Sequence, residues 1–288
     1  MPHDIHDHDR GLAADLAAIG RQMHARRNVL RLLGVSGVGL AATACGGGGS
    51  GTTTTSSGGT TTGGGSSSSS CITTVGETQG PYPADGSNSS NGVVRNVLST
   101  SGVVRSDIRS SFAGVSSNVA AGVQTTLAIS LVNTNASCAP LAGYAIYLWH
   151  CDRDGHYSLY DLPNENYLRG VGVSDSNGLV TFTTIFPGCY AGRWPHMHFE
   201  VFPSLPVATS YTNKILTSQF ALPSAVCQTV YSGASGYSSS LTNLSGVSIS
   251  GDNVFGDNSA DQIAQMTPTF TGSVSAGYSA TVTVGLLV

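Results

Sequence analysis

Pro187-Gly188-Cys189-Tyr190-Ala191-Gly192-Arg193-Trp194-Pro195-His196-Met197-His198 runs directly into Phe199-Glu200-Val201-Phe202. Pro and Gly at its start force a turn. The segment from His196 onward is apolar and β-prone and reads as a strand. Side chains at i and i+2 of a strand share a face. His196 and His198 therefore point the same way, and the turn brings Tyr190 back towards them. Working outward, the same period of two recurs. Leu127, Ile129 and Leu131 alternate with small or polar residues, as do Tyr144, Ile146 and Leu148. Residues 179–186 are β-branched and aromatic, and Val282, Val284, Leu286 and Val288 share one face. Gly, Asn and Ser punctuate these runs. The pattern predicts an all-β fold, a β-sandwich or barrel of mostly antiparallel strands with long loops and little helix. Only 258–266 reads as helical, with Asn258 or Ser259 as its cap.

Composition agrees. The 288 residues include 37 glycines and only 10% charged residues, well short of the roughly 25% usual in soluble domains. Coiled coils and helical bundles need Ala, Leu, Glu and Lys in quantity and are not expected. From 45 onward there are seven basic residues against twelve acidic ones, with Lys214 the single lysine. That surface offers no footprint for a nucleic-acid backbone. The chain also lacks a Gly-rich phosphate loop, a nucleophile elbow and a CxxC pair.

Three regions are expected. Residues 1–44 read as a twin-arginine-type signal peptide: Arg26-Arg27 is followed by the uncharged run Leu32 to Ala44, too short to span a bilayer. Such a leader implies an exported bacterial protein, either periplasmic, secreted or a cell-surface lipoprotein. Cys45 directly after Ala44 is placed for lipidation, with simple cleavage after Ala44 as the other reading. Residues 46–70 are Gly, Ser and Thr without exception and form a tether. Residues 71–288 are the folded domain. It holds Cys71, Cys138, Cys151, Cys189 and Cys227. An odd number leaves at least one thiol unpaired, with Cys189 a candidate; connectivity is open.

From 45 onward the histidines are His150, His156, His196 and His198. Two imidazoles on one strand face form half of a metal site, or else a hydrogen-bonded pair. A cupin site needs a later histidine, and none follows His198. Tyrosine has a pKa near 10, so as a ligand it demands a strongly Lewis-acidic ion. Fe(III) fits this; Zn(II) and Mg(II) fit poorly. Glu200 shares the face of His196 and His198, which keeps a two-His-one-carboxylate Fe(II) site as the alternative.

The spacing PGxYxGRxxHxH resembles the metal-binding signature of the intradiol ring-cleavage dioxygenases, the family of protocatechuate 3,4-dioxygenase and catechol 1,2-dioxygenase, and is most similar to its secreted single-domain branch. Three further stretches carry the resemblance: Trp149-His150-Cys151-Asp152 through Gly155-His156-Tyr157-Ser158; Tyr167-Leu168-Arg169-Gly170 with Asp175, Gly178 and Phe182; and Glu77-Thr78-Gln79-Gly80-Pro81-Tyr82. It implies Fe(III) held by Tyr157, Tyr190, His196 and His198, with Tyr160 and Tyr167 close enough in sequence to be confused with Tyr157. It implies catalytic roles for Tyr190 and for Arg193, the latter stabilising charge that develops on substrate. Gly80, Pro81, Tyr82 and Arg193 would line the substrate pocket, and Gln219 resembles a pocket glutamine at a different spacing. The implied reaction is cleavage of a small aromatic diol by O2 to a cis,cis-muconate-type diacid, with non-enzymatic binding of catechols or iron chelates on the same fold as the alternative. Only two residues separate Tyr190 from Arg193, the short form of a loop that shapes the pocket. Which catechol is taken, and the oligomeric state, are left open by the sequence.

Overall fold

The computed structural model describes residues 71–288; the expected leader, Cys45 and the tether lie outside the described residues. Two strands, β1 (Asp85–Ser90) and β2 (Val93–Asn96), form an antiparallel hairpin. The next five are β3 (Gln124–Asn133), β4 (Ala139–Pro140), β5 (Ala145–Trp149), β6 (Arg169–Val173) and β7 (Leu179–Ile185). They are followed by β8 (His196–Phe202), β9 (Leu216–Ala221), β10 (Thr269–Ser273) and β11 (Gly277–Leu286). One sheet runs β10-β11-β3-β4, with β7 also paired to β3; the other runs β6-β5-β8-β9. This is the all-β sandwich that the alternation predicts. The pairings within the sheets are antiparallel except β11 with β3, which is parallel.

The two sheets differ in how they are covered. In β3 the buried residues Thr125, Leu127, Ile129 and Leu131 alternate with partly exposed ones, as expected of a sheet with one face towards the core. In β5 and β8 every residue is buried. One face of β5 carries Tyr147 and Trp149, packed with Ala84, Val97, Leu98, Val103, Tyr157 and Tyr160 from loops outside the sheets. Long loops thus roof the second sheet, and the chemistry-bearing residues lie beneath that roof.

Three helices are described: α1 (Ser224–Gly233), α2 (Ser238–Ser245) and α3 (Ala260–Met266). The third is the expected one. Its cap is Ser259, which accepts from the Gln262 amide while Gln262 reaches back to Ser259, a capping box. The other two were not legible as helices, since Ser, Thr and Val are weak helix formers. Their buried residues, Cys227, Val230, Tyr231, Ser240 and Leu244, supply the reason they form. Cys71 and Cys138 form a disulfide; Cys151, Cys189 and Cys227 are free and buried. Among the described residues no helix is long and apolar enough to cross a membrane.

Candidate metal centre

β8 lies between β5 and β9. His198 pairs in register with Trp149 on one side and Gln219 on the other. The Trp149 indole stacks on the His198 ring, with centroids 4.9 Å apart and planes 6° apart. Gly80 closes over the same ring: a Cβ there would sit 3.2 Å from His198 Cε1, and its φ of +67° independently favours glycine. His196 Nδ1 contacts the Trp194 carbonyl at 2.5 Å. A proton on Nδ1 satisfies that contact and leaves the Nε2 lone pair free. Burial holds both imidazoles below the usual histidine range, so both are neutral at pH 7.

Tyr157 and Tyr190 arrive from two loops. Asp152 organises the first: its Oδ1 accepts from the amides of Asp154 and His156, and its Oδ2 accepts from the Tyr167 hydroxyl at 3.3 Å. Gly155, at φ +90°, lies against Tyr190, where a Cβ would be 3.1 Å from the Tyr190 Cβ. The second loop is the Pro187–Tyr190 turn. Helix α2 anchors it: Ser240 accepts from the Cys189 amide at 2.9 Å and Asn243 donates to the Cys189 carbonyl at 2.8 Å.

Four polar atoms converge. Tyr157 Oη is 3.1 Å from His198 Nε2 and 3.4 Å from His196 Nε2; Tyr190 Oη is 3.1 Å from His196 Nε2; the two Nε2 atoms are 3.1 Å apart. Tyr157 is buried and Tyr190 half-buried. Burial pushes the Tyr157 phenol well above its ordinary value, and Tyr190 adds to this. The two sequence alternatives are engaged elsewhere: Tyr160 donates to Asn88 Oδ1 at 2.6 Å, and Tyr167 donates to Asp152. His150 is buried with its Nε2 2.6 Å from Thr184 Oγ1, and His156 is exposed. Among the described residues no group of three or more His, Cys, Asp or Glu side chains could hold a metal ion. The converging set is two phenols and two imidazoles.

Glu200, on the same strand face, belongs to a different buried group. Its Oε1 accepts from Lys214 Nζ at 2.6 Å, and Lys214 also reaches Asp85 Oδ2 at 3.3 Å and Gln79 Oε1 at 2.6 Å. Burial, then the Asp85 carboxylate, push Glu200 up to about 8, while the Lys214 ammonium pulls the other way. Its bond to Lys214 places Glu200 in this separate buried group, outside the four converging atoms.

Arg193 is almost wholly buried. Its Nε donates to Asp252 Oδ2 at 3.0 Å and its Nη2 to Gln219 Oε1 at 2.8 Å; Gln219 Nε2 donates to the Thr78 carbonyl at 2.8 Å. Asp252 also accepts from the amides of Trp194, Val254 and Phe255. Gln219 thus ties Arg193 to the 77–82 segment. Tyr82 lies at that segment's end, its ring 4.9 Å from Tyr157 and 5.0 Å from Tyr160. Sequence reasoning missed Asp252, Lys214 and Asp85, because an acid or amine brought in from a distant part of the chain carries no local signature.

Residues 108–209 match the family model described as Dioxygenase. That span contains Tyr157, Tyr190, His196 and His198. Among solved structures, an intradiol ring-cleavage dioxygenase from Tetranychus urticae superposes with a TM-score of 0.55 at 21% identity, covering 75% of this chain and 94% of that one. The domain has the intradiol ring-cleavage dioxygenase fold. Two lower-scoring matches carry related descriptions. The dioxygenase domain of a dioxygenase and carbohydrate-binding fusion from Streptomyces sp. SirexAA-E gives a TM-score of 0.44 at 19% identity, covering 75% of this chain and 98% of that one. Catechol 1,2-dioxygenase from Pseudomonas arvilla C-1 gives 0.42 at 15%, covering 73% and 60%. On this intradiol-dioxygenase fold, the converging side chains lie on β8 and the two loops facing it.

Proposed function

We propose that the chain is a non-haem Fe(III) dioxygenase that cleaves a catechol-type ring with O2 to a cis,cis-muconate-type diacid. The observation that carries this reading is the convergence of Tyr157, Tyr190, His196 and His198 at 3.1–3.4 Å. The donor set fits such an ion on two counts. Two neutral imidazole nitrogens 3.1 Å apart can each turn a lone pair towards one cation placed beside them. A buried phenol loses its proton only beside a strong cation, and two phenolates favour a trivalent one. A bound Fe(III) supplies Lewis acidity and takes electron density from a catecholate, which activates the ring towards O2.

The remaining work falls to the chain. Trp149 and Gly80 fix the His198 ring, and the Trp194 carbonyl fixes that of His196, so both nitrogens are preorganised. Tyr190 is the half-buried phenol of the pair, the one that solvent and substrate can reach. Its oxygen is the candidate acceptor for a catechol proton. Arg193, held by Asp252 and Gln219, supplies a fixed positive charge where negative charge builds on the ring; such a preorganised cation contributes about 2–4 kcal/mol. Gly80, Pro81 and Tyr82 form the wall against which the ring rests.

We further propose export, through a leader at 1–44 and a tether at 46–70, with Cys45 as a lipid anchor. The Cys71–Cys138 disulfide supports this, since structural disulfides persist in oxidising compartments. The test is an oxygen electrode with the iron-loaded protein and a panel of catechols, followed by product analysis. Oxygen uptake with a ring-opened diacid is expected. Tight catechol binding without uptake would establish a binder instead, and neither would reject the reading.

A further inference from the structure

Arg169, the first residue of β6, is among the largest fully buried side chains of the domain. No carboxylate lies within ion-pair distance of it among the described residues, whose ion pairs involve Arg109, Arg153, Arg193 and Lys214. A buried cation without a counter-ion costs several kcal/mol, so its presence calls for an explanation. Its hydrogen bonds supply one. Nε donates to Ser158 Oγ at 2.9 Å and Nη2 to the Ser158 carbonyl at 2.9 Å. Nη1 donates to the Pro83 carbonyl at 3.1 Å and to Tyr147 Oη at 3.0 Å, and Tyr147 itself donates to the Pro83 carbonyl at 2.8 Å. The guanidinium also lies 5.5 Å over the Tyr160 ring.

One edge of the fork therefore grips the residue after Tyr157, and the other grips the residue after Tyr82. Between them, the Tyr82 and Tyr157 rings are 4.9 Å apart. Arg105 donates twice to the Arg169 carbonyl, at 3.0 and 2.6 Å, and so fixes the backbone from which the fork springs.

We propose that Arg169 is a positioning residue that locks the Tyr157 loop to the 80–83 pocket wall, so that the first phenol and the surface for the substrate ring keep one fixed separation. Only a planar fork reaches both sets of acceptors; a lysine ammonium is a single point and cannot bridge them. The inference rests on the proposed catechol chemistry for its kinetic consequence, while the mechanical coupling stands on the hydrogen bonds alone.

The experiment compares wild type, Arg169→Lys and Arg169→Met as full chains without added metal, by hydrogen–deuterium exchange. Peptides covering 79–84 and 156–161 are expected to exchange about tenfold faster together in both variants, with β3 and β11 unchanged. Unchanged exchange, or loosening of one segment alone, overturns the coupling. Where Arg169→Met does not fold, Arg169→Lys and Ser158→Ala carry the test, the latter removing one acceptor and loosening both segments. With iron-loaded protein, the catechol KM is expected to rise about tenfold in Arg169→Lys with little change in kcat, because the wall moves while the chemistry persists. A wild type inert towards catechols rejects the proposed function and leaves the exchange result to decide the coupling. An active wild type whose Arg169→Lys variant keeps its KM rejects the link to substrate.

Discussion

Tyr190 and Tyr157 are chemically alike and differently placed, one half-buried and one buried. Replacing either with Phe removes one oxygen from the four-atom cluster and is expected to lower turnover by about a hundredfold or more, with a change in visible colour. Tyr160→Phe, which loses only bonds to Asn88 and the Ala84 amide, is expected to keep the colour; steady-state rates and absorption spectra of the three variants decide this. Asp252→Asn leaves Arg193 buried beside a neutral amide. Breaking one partner of a buried pair costs about 3–5 kcal/mol, to be read as a fall in melting temperature. His150 gives a pH dependence. Burial lowers it to about 4, whereas an unfolded histidine titrates near 6.5. Below about 6.5 the unfolded chain takes up a proton that the native chain refuses until about 4. The stability is complete above 6.5 and is lost as pH falls to 4, by up to about 3 kcal/mol; His196 and His198 act in the same direction. Melting temperatures of metal-free protein across that range should fall, and less steeply in His150→Gln. At this scale the sequence was readable where residues lie in one short run: His196 and His198 share a face because strand geometry demands it. It left Tyr157 open against Tyr160 and Tyr167, because a loop has no period. Asp252, 59 residues from Arg193, carried no signal at all.

Among the elements, β8 was the most legible, since its apolar run and paired histidines fix both its type and its face. β3, β5, β7 and β11 followed from alternation or β-branched runs. The parallel pairing of β11 with β3 did not, because alternation fixes which face is buried and says nothing of strand direction. Helices α1 and α2 were hidden by their Ser and Thr content, yet α2 is what holds the Cys189–Tyr190 turn. Intrinsic propensity was overridden there by tertiary contacts. The 77–82 segment is not itself a strand; its position comes from Gln219, Lys214 and the fit of Gly80 to His198. Gly80→Ala puts a methyl against that ring and strains a left-handed backbone, by about 1–2 kcal/mol. A raised KM for catechol and a lower melting temperature are expected, and unchanged values would show that the wall does not depend on this approach.

For the whole molecule, the disulfide and the roofed sheet are separate devices. The Cys71–Cys138 bond closes a span of 67 residues, worth about 4 kcal/mol on the chain-entropy account. It joins the start of the described residues to the segment after β3, and neither cysteine belongs to the converging phenols and imidazoles. Cys71→Ser with Cys138→Ser is expected to lower the melting temperature while leaving the colour and rate of the iron-loaded protein unchanged. The claim on which the account turns is that two phenol oxygens and two imidazole nitrogens hold one ferric ion. Iron analysis with a visible absorption spectrum, after anaerobic ferrous loading and return to air, tests it most directly. The account predicts about one iron per chain and a reddish tyrosinate-to-Fe(III) charge-transfer band that weakens in Tyr190→Phe. A protein that stays colourless and retains no iron would contradict it.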